Sequence, residues 1–155
     1  MIIPRQIRSF VRRGHTTPRQ KLAFETLWPL YGVRLSENEF IPAINSSAAK
    51  QIVEIGFGMG DSLLSMAEQF PQYHFVGIDV YRAGVGAVLH ALHQKNIKNI
   101  QLINDDAVNV LTHFASQTVD AFLIFFPDPW PKKRHHKRRL IQIDFIHLLI
   151  EKLKV

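Results

Sequence analysis

From Gln51 onward the chain alternates short apolar runs with stretches of helical periodicity, and this alternation restricts the fold more than any other feature. Ile52, Val53 and Ile55 mark a first strand that closes on Glu54, Ile55 and Gly56, followed by a helix over residues 60–69 with Leu63, Leu64 and Ala67 on one face. His74 to Ile78 is a second strand with Asp79 at its end, and a helix is expected from about Gly84 to Gln94. Ile100 to Ile103 gives a third strand, Ala107 to Phe114 a short helix, and Val119 to Phe126 a fourth strand. Helical periodicity resumes around Lys137 and runs to about Leu153. Short apolar strands separated by helices imply parallel βαβ units in an α/β fold.

Residues 1–45 differ in character: a basic, irregular arm with helical potential from Pro18 to about Tyr31. The division expected is a basic N-terminal extension over 1–50 and one α/β unit over 51–155. A chain of 155 residues suffices for one domain with its own core. Without cysteine it has neither a disulfide framework nor a thiolate metal site, and the histidines show no complete metal-ligand spacing. No signal-peptide pattern is present, and no apolar run approaches the roughly 20 residues that cross a bilayer. A cytoplasmic protein with no membrane partner is the expectation.

The last helix should return the chain to the sheet. If nothing follows it, strand four, VDAFLIFF, becomes an edge that is apolar on both faces. Exposed edges of that kind promote self-association, so a shortened form of a larger catalytic domain is expected.

EIGFGMGDS, residues 54–62, connects strand to helix, and Gly56, Gly58 and Gly60 permit tight dihedrals and close backbone approach to a ligand. The G-x-G-x-G spacing lacks the third glycine of the dinucleotide fingerprint, and no P-loop lysine follows. Asp79 is placed to accept both hydroxyl hydrogens of an adenosine ribose, or to cap a helix. Asp106 could meet an adenine edge or cap the helix beginning at Ala107, with Asp105 competing for either role. Glu54 sits where a carboxylate could face a cationic part of a cofactor or make a structural hydrogen bond. A pocket holding Glu54, Asp79, Asp106 and Asp128 would repel a pyrophosphate. It suits S-adenosylmethionine (AdoMet), whose sulfonium and amino group are positive, better than NAD.

PDPW, residues 127–130, follows the fourth strand. Pro127 and Pro129 restrict the backbone and could aim Asp128 across the cofactor end of the sheet; the same tetrapeptide could be a rigid connection with Trp130 buried. An open Trp130 would offer a stacking surface for a base. KKRHHKRR, residues 132–139, carries six lysine or arginine residues in eight positions. Such a block can contact several phosphates, His135 and His136 included when protonated, or can be a solvated helix start. The net charge of +6 is consistent with a polyanionic partner.

EIGFGMG at 54–60, GIDVYRAGVGAVL at 77–89, DAVNVL at 106–111 and FFPDPWPKKRHHKRR at 125–139 together resemble the bacterial tRNA (guanine-N7-)-methyltransferase family. IRSFVRR at 7–13, with Trp28 and Pro29, resembles that family's N-terminal extension. The resemblance implies a Rossmann-like class I AdoMet-dependent methyltransferase fold, incomplete, with strand order 3-2-1-4. It implies AdoMet-dependent N7 methylation of guanine in tRNA, usually at position 46 of the variable loop. Glu54, Asp79, Asp106 and Asp128 match AdoMet-associated positions, and Asp128 the position usually given a catalytic role. Lys132 matches a substrate-associated position, while Arg134, His135, His136, Lys137, Arg138 and Arg139 overlap the RNA-interacting segment. The family pattern continues past Val155 with a Thr-Asp motif and a Thr-x-Phe-Glu motif, so an AdoMet- or RNA-binding fragment without standalone catalysis is the alternative expectation.

Overall fold

A computed structural model describes residues 15–35 and 49–155. The arginines at 5, 8, 12 and 13 and the IRSFVRR segment lie outside the described residues.

Helix α1, Pro18–Tyr31, has the bounds expected of it. Thr17 and Gln20 close a reciprocal capping box: the Gln20 N–H donates to Thr17 Oγ1 (3.2 Å) and the Thr17 N–H to Gln20 Oε1 (2.9 Å). Pro18 occupies the first helical turn, where its missing N–H costs nothing. Phe24 stacks on the buried Trp28 at 4.7 Å, and the Arg82 guanidinium lies 3.9 Å above the Phe24 ring.

The α/β unit runs β1 (Gln51–Ile55), α2 (Asp61–Gln69), β2 (His74–Ile78), α3 (Arg82–Lys95), β3 (Ile100–Ile103), α4 (Ala107–Thr112), β4 (Ala121–Leu123) and α5 (Ile143–Lys152). All strand pairings are parallel, in the order β3-β2-β1-β4. Register is fixed by apolar alternation: Val53 and Ile55 face one side, packing with Ile78, Ile103, Val110, Phe114, Phe145 and Leu149. Leu63, Phe75, Val85, Leu89, Leu92 and Leu102 join Trp28 in the core on the other side. Helices therefore cover both faces, as a parallel sheet requires.

Two expectations need correction. The fourth strand was expected over Val119–Phe126, but its ladder spans only Ala121–Leu123, half-buried. It pairs with β1 alone, whose own strand ends at Ile55 before the glycine turn, and Phe126, at a φ of 48°, has left the extended region before Pro127 is reached. The last helix was expected to start near Lys137; instead Lys133–Arg138 forms a 3-10 helix and α5 starts at Ile143. Like charges at i,i+4, Lys133 with Lys137 and Arg134 with Arg138, disfavour an α-helix there. The Gln142 amide closes the break by donating to the carbonyls of His136 (2.9 Å) and Arg139 (3.2 Å).

After α5 the chain does return to the sheet. Leu153 forms a parallel bridge with Val119, the Lys154 N–H donates to the Val119 carbonyl (2.9 Å), and Lys154 Nζ pairs with Asp120 at 2.7 Å. Ile143 and Ile150 are exposed on α5.

Candidate functional site at the strand ends

The chain leaves β1 toward β2 on one side and later places β4 on the other, so the sheet has its switch point at the carboxyl ends of β1 and β4. In open parallel sheets the crevice outside that point takes ligands. Glu54 belongs to β1 and is paired with Gly77 of β2 and Leu123 of β4. Asp79 follows β2 directly, and Asp128 follows β4.

The glycine turn is shaped from within. Gly56, Gly58 and Gly60 have φ of 77°, 58° and 86°, a region that residues with a Cβ enter at a cost. A Cβ at Gly56 or Gly58 would meet nothing within 4 Å, so the requirement there is conformational and the space beside the turn is open. Asp79 ties this turn down: the Gly58 N–H donates to Oδ2 at 2.7 Å and the Tyr81 N–H to Oδ1 at 2.8 Å. Asn104, which sequence reasoning overlooked, donates from its amide to the Asp79 carbonyl at 2.7 Å, linking the end of β3 to the same corner. A polar amide directly after an apolar strand was the available signal.

Glu54 is only 2% exposed, and its Oε2 is buried without a hydrogen-bond partner. Burial, reinforced by the charge of Asp79, pushes its carboxyl up to about 7. Burial also raises Asp79, against the pull of the Tyr81, Gly58 and Val80 N–H groups, and Asp128 adds a further upward push. Glu54, Asp79 and Asp128 therefore share one electrostatic neighbourhood. A group bringing positive charge or hydroxyl donors would relieve both the orphaned oxygen and the mutual repulsion.

Asp106 is more peripheral. It caps α4, with Oδ1 accepting from the N–H groups of Val108 (3.0 Å) and Asn109 (3.4 Å). Asp105 supports that cap by accepting the Asp106 N–H (2.6 Å) and the Asn109 amide (3.0 Å).

The PDPW turn is bracketed by two residues of left-handed φ, Phe126 at 48° and Trp130 at 37°. Trp130 is turned inward, 8% exposed, with His135 edge-on at 5.6 Å and the Arg138 guanidinium 5.1 Å from its ring. It is unavailable as an open stacking surface. Arg139 clamps the same turn: Nε donates to the Pro129 carbonyl (2.9 Å) and Nη2 to that of Trp130 (3.4 Å). His136 Nε2 lies 3.3 Å from the Pro131 carbonyl. Asp128 lines a cavity of about 240 Å³ with Pro127, Pro129, Arg139, Leu140 and Ile141. Lys132, Lys133, Arg134 and Lys137 remain exposed on the outer side. The basic block thus divides into groups that hold the turn and groups that face solvent.

Residues 48–155 match the family model described as "Putative methyltransferase". The tRNA (guanine-N(7)-)-methyltransferase of Nitrosococcus oceani is 51% identical over 154 residues, covering 97% of this chain and 65% of the relative. Its counterpart in Xylella fastidiosa is 44% identical, covering 97% of this chain and 63% of the relative. That of Nitrosomonas eutropha is 44% identical over 151 residues, covering 96% and 67%. The chain thus spans about two-thirds of the length of these curated relatives. Among solved structures, an antibiotic-related methyltransferase superposes with a TM-score of 0.54 at 15% identity, covering 79% of this chain and 61% of that one. Haemonchus contortus phosphoethanolamine N-methyltransferase 2, in complex with S-adenosyl-L-methionine, superposes at 0.50 and 14% identity, covering 74% and 24%. These likenesses establish the Rossmann-like fold of class I methyltransferases, and the sequence relatives establish the family: the chain belongs to the tRNA (guanine-N7-)-methyltransferases.

Proposed function

We propose that this chain transfers the methyl group of AdoMet to N7 of guanine in tRNA, at position 46 of the variable loop, in the cytoplasm. The observation that carries this reading is the meeting of buried Glu54, loop-bound Asp79 and Asp128 at one sheet end, directly beside an exposed cationic segment. The donor set fits the cofactor. Glu54, with its orphaned Oε2, suits a positively charged ammonium or sulfonium neighbour, and the Asp79 oxygens retain lone pairs for ribose hydroxyls. The open turn at Gly56 and Gly58 leaves space for the ligand's body, with Gly60 setting the start of α2. Asp106 keeps its second carboxylate oxygen for the adenine side.

AdoMet supplies an electrophilic methyl group on a positively charged sulfur. Guanine N7 carries an in-plane lone pair and no proton, so Asp128 need not act as a base. With AdoMet bound, the N7 lone pair would form the N–CH₃ bond as the S–CH₃ bond breaks, and the positive charge would pass from sulfur to the purine. Asp128 serves by orienting the guanine and by stabilising the charge that develops on it. Lys132 positions the nucleotide, while Arg134, His135, His136, Lys137, Arg138 and Arg139 form the RNA-binding segment. Within it, Arg134 and Lys137 meet phosphates, joined by the exposed neighbour Lys133, and Arg138 and Arg139 also hold the turn.

Titration calorimetry with AdoMet tests the pocket, and N7-methylguanosine detection on unmodified tRNA tests the transfer. A folded chain that binds neither AdoMet nor tRNA contradicts the reading. The half-buried β4 and the exposed isoleucines of α5 favour a second reading, in which this stretch binds AdoMet or RNA and self-associates along that edge. Light scattering that finds only monomers would exclude the association.

A further inference from the structure

The inward turn of Trp130 leaves the site without its expected stacking surface, and another ring stands ready. Phe126 is 99% exposed, two residues before Asp128. Its φ of 48° is one that bulky L residues rarely adopt, so the turn holds it in a strained conformation while leaving its ring in water. Trp130, at the opposite end of the same turn, has the same backbone sign and the reverse exposure. The turn therefore directs one aromatic ring into the fold and one out of it.

Building on the methyl-transfer reading, we propose that Phe126 is the platform on which the target purine of the RNA stacks. The chemistry of N7 favours such a platform. Its lone pair lies in the plane of the base, so a ring against the base face fixes that plane without obstructing the attacking edge. As the methyl arrives the purine becomes cationic, and an aromatic face attracts a cation more strongly than a neutral base. Phe126 thus contributes to positioning before transfer and to charge stabilisation during it.

The test places 6-thioguanosine at the target position of a tRNA transcript, crosslinks it to the chain with ultraviolet light and maps the adduct by mass spectrometry. Methylation kinetics are measured in parallel for Phe126→Leu and Phe126→Tyr. Because the side chain is exposed, neither change opens a core cavity, and matched thermal melts verify this. The expected results are an adduct on Phe126, a kcat/KM roughly tenfold or more lower in Phe126→Leu, and near-normal kcat/KM in Phe126→Tyr. A crosslink that maps elsewhere, or equal kinetics for Phe126→Leu and the parent chain, overturns the proposal. If the parent chain makes no product, the crosslink alone decides: an adduct on Phe126 upholds the platform while the catalytic reading fails.

Discussion

The carboxylate of Asp79 accepts the backbone N–H of Gly58 across 2.7 Å, so the end of the second strand fixes the glycine turn that follows the first. One side chain thereby shapes the proposed cofactor site and contributes, with Glu54 and Asp128, to its charge.

Replacing Asp79 with alanine leaves the Gly58 and Tyr81 N–H groups without their acceptor. A loss of about 1–3 kcal/mol in stability is expected in denaturant unfolding, with AdoMet affinity in calorimetry falling by more than about tenfold. An unchanged affinity would separate the turn from cofactor binding.

Glu54 gives the fold a definite pH signature. Its carboxyl lies near 7 in the folded chain against 4.5 ordinarily, so between those values the folded state keeps a proton that the unfolded state has lost. The contribution of Glu54 to stability therefore declines as pH rises from about 4.5 to about 7 and stays low above that. Glu54→Gln, which mimics the protonated form, should exceed the parent chain by up to about 3 kcal/mol above roughly pH 8 and lose that advantage near pH 4. Urea unfolding across this range gives the comparison; parallel profiles would refute the assignment.

The basic segment should separate by function. Lys133, Arg134 and Lys137 are exposed, so their joint replacement by alanine should leave the melting temperature unchanged. It should reduce the slope of log binding constant against log salt for tRNA by about 2. Arg139→Ala should instead destabilise the chain by about 1–2 kcal/mol, because two backbone carbonyls of the PDPW turn lose their donor. Filter binding at several salt concentrations and thermal melts distinguish the two effects.

Asp106→Ala should cost about 1 kcal/mol through loss of the α4 cap, whereas Asp106→Ser should retain most of that stability. Thermal unfolding of the pair checks the capping contribution, and AdoMet calorimetry on the serine variant isolates any contact made by the carboxylate.

Much of the fold was legible because it depends on local periodicity. The bounds of α1 followed from its helical potential and those of β2 and β3 from apolar runs, and Asp79 was located simply by the end of its strand. What escaped the sequence depends on tertiary choice. Phe126 and Trp130 are both aromatic neighbours of a proline, and only the turn decides which ring is buried. Arg139 is indistinguishable in composition from Arg134, yet one clamps two carbonyls and the other faces solvent. The tie from Asp79 to Gly58 spans 21 residues, beyond the reach of spacing arguments.

The most direct test incubates the chain with AdoMet and unmodified tRNA and detects N7-methylguanosine by mass spectrometry of the digested RNA. The account predicts that product forms at guanine 46 of the variable loop and falls roughly a hundredfold or more in Asp128→Asn. Methylation at another atom, or full turnover in Asp128→Asn, would contradict it.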